Sequence, residues 1–270
     1  MNRIDEVLGR IKQAGDTAFI PFLTIGDPDV RTSVELIAQL EKSGADIVEL
    51  GVPYSDPLAD GPVIQRASAR ALAHRVTILE CMQTAKQARA AGVQMPFILF
   101  TYYNPALQLG LERFFELLAE HEISGVIIPD LPYEEDQSVH ELSLRYDIHL
   151  IPLVAPTSNE RVRMIAERAR GFVYCVSSLG VTGERSEFFS GIDQFLDTVR
   201  SATDTPIAVG FGISSHEQFQ AFAKRADGII IGSALVRKIE ELLPMLTNPE
   251  MKQEGLTKFG DFVASFKGLR

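Results

Sequence analysis

Cysteine is nearly absent from this 270-residue chain. Cys81 and Cys175 are too few for a disulfide framework and have no metal-ligand spacing. Cys81 falls in a helical pattern and Cys175 in an apolar strand, where a thiol reads as a small core residue. Basic residues are also short: 26 Lys and Arg stand against 36 Asp and Glu, leaving a net charge of -10 with no basic stripe. That balance argues against nucleic acid and anionic membrane surfaces as partners. It still allows a phosphorylated ligand, provided backbone N–H groups hold it. No hydrophobic run approaches membrane-spanning length, and the opening MNRIDEVLGRIKQAG is an amphipathic helix pattern containing acids, unlike a secretory signal. A cytoplasmic protein is expected. His74, His121, His140, His149 and His216 mostly fall on helices or their edges, and none pairs at metal-ligand spacing, so no metal is expected.

What is present is ordinary globular material, 46% hydrophobic and 23% charged, long enough for two small domains or one α/β barrel. Short, continuously apolar runs predict strands at 18–25, 46–50, 97–100, 125–128, 149–154, 172–176, 207–209 and 228–231. Helical spacing fills the intervals at 32–42, 63–73, 78–91, 111–121, 134–146, 159–169, 192–201 and 215–224, with terminal helices through Phe266. Strands without polar alternation are buried on both faces, as in parallel sheets. Eight such strands, each followed by a helix, predict one TIM (β/α)8 barrel over residues 1–270, with an extra N-terminal helix. A doubly wound open sheet competes, but it would carry a glycine fingerprint after the first strand, and Gly26-Asp27-Pro28 is not one. Function in a barrel lies at the carboxyl ends of the strands and in the loops that follow.

The stretch DIVELGVPYSDPLADGPVIQ (46–65) meets that description. Glu49 is embedded among Ile47, Val48 and Leu50, where a bare carboxylate is costly. Gly51, Pro53, Pro57, Gly61 and Pro62 forbid regular structure, which leaves Asp56 and Asp60 on an irregular loop. Folded back over the strand end, Asp60 could pair with Glu49 for acid–base work, burial raising the pKa of one while the other stays ionised. The same residues would also serve as a buried structural acid and as builders of Asx turns.

The last three strand-to-helix loops share one character. Loop six is Ser177-Ser178-Leu179-Gly180-Val181-Thr182-Gly183, loop seven Gly210-Phe211-Gly212-Ile213-Ser214, and loop eight Gly232-Ser233-Ala234. Glycine lets the backbone approach an anion closely, and a helix N-terminus offers unpaired N–H groups. Phosphate held by amides and Ser233 is therefore expected, although strand-to-helix turns also use glycine for conformation alone. Tyr174 could point into the barrel mouth or simply pack, and Phe22 could flank an aromatic ligand or fill core. Asp130 ends strand four and could hold loops or touch ligand, while Tyr102, Tyr103 and Asn104 read as an Asn-Pro turn.

PFLTIGDPD, the 46–65 segment, TYYNP, IIPDLPYEE, LIPLVAPTS, FVYCVSSLGVTG, AVGFGIS and DGIIIGSALV together resemble the tryptophan synthase alpha subunit family over essentially the whole chain. The resemblance implies a lyase that cleaves indole-3-glycerol phosphate into indole and glyceraldehyde 3-phosphate by a retro-aldol reaction without cofactor or metal. It implies that Glu49 shuttles protons and that Asp60 faces the indole N–H. Tyr174 matches a tyrosine near the first acid. Gly183, Gly212, Gly232 and Ser233 match phosphate-holding positions, Phe22 and Leu99 line the indole pocket, and Thr182 helps close the site. It further implies a pyridoxal-phosphate-dependent beta subunit in an alpha2-beta2 assembly, reached through loop two with Pro53 and Asp56, to which indole is channelled. The competing expectations are another sugar-phosphate barrel such as an isomerase, and a non-catalytic subunit that binds a phosphometabolite. A two-acid glycosidase has no use for three phosphate-type loops.

Overall fold

An amphipathic first helix, α1 (Arg3–Ala14), starts where the Asn2 side chain accepts the Ile4 N–H and ends at Gly15 in the left-handed region. In the computed structural model, which describes residues 1–176, 191–210 and 212–268, strands and helices then alternate. β1 (Ala18–Thr24), α2 (Val30–Lys42) and β2 (Val48–Gly51) lead to the helix pair α3 (Pro62–Ala73) and α4 (Ile78–Ala90). β3 (Phe97–Phe100) is followed by α5 (Tyr103–Leu109) and α6 (Leu111–Glu120), and β4 (Ile123–Ile127) by α7 (Gln137–Arg145). β5 (His149–Leu150), β6 (Leu153–Val154), α8 (Asn159–Glu167), β7 (Val173–Val176) and α9 (Ile192–Ala202) come next. β8 (Ile207–Gly210), α10 (His216–Ala223), β9 (Gly228–Ile231), α11 (Ser233–Leu246) and α12 (Lys252–Phe266) complete the order.

All the strand pairs are parallel, in the order β5-β4-β3-β2-β1-β9-β8-β7-β6. β5 and β6 are two pieces of the one strand expected at 149–154, parted at Ile151 and Pro152. The segment bonds to both neighbours, since the Ile151 N–H donates to the Val126 carbonyl and the Pro152 carbonyl accepts the Tyr174 N–H. It therefore closes the sheet into a barrel of eight staves, and proline's missing N–H accounts for the break. Two further expectations are corrected. The run 134–146 is a 3-10 turn, Tyr133–Glu135, followed by α7, and the Asn-Pro turn after β3 is the helix α5.

Strand residues alternate between two cores, as the period of two requires. Phe19, Leu23, Val48, Leu50, Phe97, Leu99, Val173 and Cys175 pack outward against the helices. Ala18, Ile20, Phe22, Ile98, Phe100, Tyr174, Ala208 and Ile230 fill the barrel interior. Ile4, Leu8 and Ile11 of α1 belong to this inner cluster. At the amino end the interior is lined by small residues, and a Cβ on Gly125 would stand 2.9 Å from Ile4 Cδ1. Asn2 Nδ2 donates to the Ser124 and Asp147 carbonyls at 2.8 Å each. Helix α1 is thus a stopper in the amino-terminal end, which leaves the carboxyl-terminal mouth for chemistry.

Candidate active site

Val48 and Leu50 face the helices, so Glu49 between them faces the interior, level with Phe22 on β1 and Ile98 on β3. Its side chain is buried, with 1% of the residue exposed. Oε1 finds no hydrogen-bond partner among the described residues. Burial pushes the carboxyl well above the usual carboxylate range, because the charged form loses its hydration there. Tyr174, inward on β7, has its phenol raised by burial and by the charge of Glu49. The ring lies over Gly210, where a Cβ would come within 2.6 Å of the hydroxyl.

Asp60 closes loop two just before α3, whose first residue is Pro62, and the Gln65 Nε2 donates to its carbonyl at 2.7 Å. It is 7% exposed, and burial lifts its carboxyl to about 6 against the opposing hydrogen bond from the Tyr102 hydroxyl. Tyr102 also accepts the Ala59 N–H at 3.0 Å and stacks on Tyr54 with centroids 4.8 Å apart. This tyrosine, read from sequence as part of a turn, fixes the loop that carries Asp60. Its signal was the period of two, which runs Ile98, Phe100, Tyr102 along one inward line. The neighbouring Tyr103 N–H donates to Asp130, so that acid does hold loops.

Glu49, Asp60 and Tyr174 line one cavity with Phe22, Ile64, Phe100, Gly212, Ile213, Ile230, Gly232 and Ser233. Phe22 and Phe100 meet edge to face at 5.5 Å. Gly51 permits this placement, since a Cβ there would lie 2.3 Å from Phe22 Cζ. Leu99 is corrected: it is fully buried in the outer core, and Phe100, one residue on, is the β3 side chain in the cavity. Gly212 sits at φ +91°, and Gly232 precedes the first turn of α11, whose leading N–H groups have no helical acceptor. Thr182 and Gly183 lie outside the described residues. Pro53 is buried, whereas Asp56 is exposed beside Leu58, which is 75% exposed.

Among the described residues no cluster of three His, Cys, Asp or Glu could hold a metal, and no helix is long and apolar enough to cross a membrane. A parallel βα barrel with a protonatable acid and a second carboxylate in its carboxyl-terminal mouth defines a barrel enzyme of the acid–base type.

The model of one family, tryptophan synthase alpha chain, matches residues 8–267. The chain is 51% identical to the tryptophan synthase alpha chain of Bacillus subtilis (strain 168) over 257 residues, 95% of this chain and 96% of that one. It is 51% identical to that of Geobacillus stearothermophilus over 247 residues, 92% of each chain. Among solved structures, tryptophan synthase subunit alpha from Legionella pneumophila str. Paris superposes with a TM-score of 0.88 at 35% identity, covering 100% of this chain and 98% of that one. Mycobacterium tuberculosis tryptophan synthase superposes with a TM-score of 0.86 at 35% identity, covering 98% and 96%. The chain belongs to the tryptophan synthase alpha chain family. That family supplies the lyase subunit that cleaves indole-3-glycerol phosphate in tryptophan biosynthesis.

Proposed function

We propose that indole-3-glycerol phosphate lies across this cavity with its ring between Phe22 and Phe100, its ring N–H toward Asp60, and its phosphate on the amides around Gly212, Gly232 and Ser233. The observation that carries this reading is the bare, buried Oε1 of Glu49 in the same cavity as Asp60. A carboxyl whose pKa is raised by burial keeps its proton more readily than a free one and can act first as an acid. Glu49 donates its proton to indole C3, which makes the ring an iminium-like cation. Asp60, ionised above about pH 6, stabilises that charge from the nitrogen side. The Glu49 carboxylate then removes the proton of the glyceryl hydroxyl next to the ring. The O–H electron pair becomes the aldehyde carbonyl, the C–C bond breaks, and its electrons return to the ring. Indole and glyceraldehyde 3-phosphate leave, with Glu49 protonated again and no cofactor required in this chain.

The family resemblance assigns Gly183 to the phosphate and Thr182 to closing the site, both outside the described residues. The partner is a pyridoxal-phosphate-dependent beta subunit in an alpha2-beta2 assembly, which receives indole through a tunnel. Loop two meets it through Asp56 at the tip, with buried Pro53 as the support. The exposed Leu58 beside Asp56 supports that placement.

The test is indole release from indole-3-glycerol phosphate by the purified chain, with and without a cognate beta subunit. Release is expected to rise with the partner and to fall by about 10²–10⁴-fold in Glu49→Gln. Binding of glycerol 3-phosphate should be unchanged in that variant. Full turnover in Glu49→Gln would remove the residue from the mechanism.

A further inference from the structure

Helix α3 begins two residues after Asp60, and α11 begins directly after Gly232. Each helix therefore carries one end of the proposed site at its N-terminus. What fixes the distance between them matters, because a ligand that spans both ends gains only if they stand at the right separation. After Val63 and Ile64 in its first turn, the buried face of α3 is small. Ala67, Ser68 and Ala71 offer few knobs that would resist sliding along a neighbour.

A four-charge network supplies that resistance. Arg66 Nε and Nη2 donate to Glu240 Oε1 and Oε2 at 2.8 and 2.7 Å, a two-pronged bond from α3 to α11. Arg70, one turn further along α3, donates through Nη1 to Glu240 Oε1 at 2.8 Å. Its Nε and Nη2 grip Asp27 Oδ1 and Oδ2, both at 2.8 Å. Asp27, with 1% of its side chain exposed, lies in the loop after β1 that also packs on the far end of α3. There a Cβ on Gly26 would stand 2.5 Å from Val76 Cγ2 and 3.2 Å from Ala71 Cβ. The two arginines on one face of α3 would repel each other, and Glu240 sits between them as their shared counter-charge. Two-pronged guanidinium–carboxylate bonds fix geometry as well as adding attraction.

We propose that Glu240, bridging Arg66 and Arg70, is a positioning residue that sets the separation of Asp60 from the phosphate-end amides of α11. This rests on the roles given above to Asp60 and to the turn at Gly232 and Ser233. Glu240 itself lies seven residues into α11, about 10 Å along the helix from Ser233, so it acts through the helices and not on substrate.

The experiment compares three ligands on the full chain and on Glu240→Gln and Arg66→Gln, with melting temperatures measured alongside. The ligands are an indole-3-alkyl phosphate that spans both ends, glycerol 3-phosphate, and indole. The network predicts that the spanning ligand binds about tenfold more weakly in either variant while the two single-ended ligands bind as in the parent. It also predicts that kcat for indole release falls by more than KM rises, and that the fall shrinks in an Asp60→Asn background. Equal weakening of all three ligands would overturn the proposal in favour of general loosening, and so would an unchanged affinity for the spanning ligand. If Asp60→Asn alone leaves turnover at the parent level, the site reading fails first, independently of Glu240.

Discussion

Asp60, proposed above to face the indole N–H, also bears on stability. Its carboxyl titrates near 6 in the folded chain and ordinarily at 3.8, so the native state holds this proton more tightly than the unfolded one. The stability this contributes is present below about pH 4 and is lost as pH rises through about 6, some two units or about 3 kcal/mol. Asp60→Asn is therefore expected to be more stable than the parent at pH 8 by up to about 3 kcal/mol and close to parity near pH 3. Urea unfolding at the two pH values checks this, and equal stabilities at pH 8 would contradict it. Tyr102 opposes the upward shift by hydrogen bonding to the carboxylate. Removing that bond in Tyr102→Phe should move the acidic limb of the kcat/KM profile to higher pH by about one unit. A limb that stays in place would mean that another group titrates there.

Among elements, α1 is the one whose removal from packing is easiest to read. Ile4 is fully buried in the barrel interior, where a Cβ on Gly125 would stand 2.9 Å from its Cδ1, and it is not among the described residues that line the cavity of Glu49 and Asp60. Ile4→Ala should lower unfolding free energy by about 2–5 kcal/mol, through lost burial and the cavity left behind. Turnover per folded molecule should hold, as active-site titration alongside denaturation would show. The elements also divide what could be read from the chain from what could not. Continuous apolar runs were enough for the staves, because strands buried on both faces carry no polar interruption. They could not say which parity faced inward on β3, where the resemblance implied Leu99 and Phe100 lines the cavity. Helix α5 was hidden behind Tyr-Asn-Pro, whose turn-forming propensity gave way to a helix that begins at Tyr103. The break at Pro152 was legible in principle, since proline cannot donate to a ladder.

For the whole molecule, local pattern carried the barrel and the two acids, and long-range contact carried the rest. Glu49 announced itself by standing charged in an apolar strand. The clamp from Arg66 to Glu240 spans 174 positions and leaves no trace in either helix's own spacing. The proposed phosphate end was legible as glycine-rich turns, since Gly212 and Gly232, which have no side chain, line the cavity. The stopper at the amino-terminal end has a bearing on traffic. Among the described residues α1 fills the floor of the chamber, so substrate and both products use the carboxyl-terminal doorway in turn. Indole is small, apolar and without charge, so the amides proposed to hold the phosphate have no grip on it once the bond is cut. Whatever sits over the doorway decides whether the intermediate escapes to the surroundings or passes to a second catalyst.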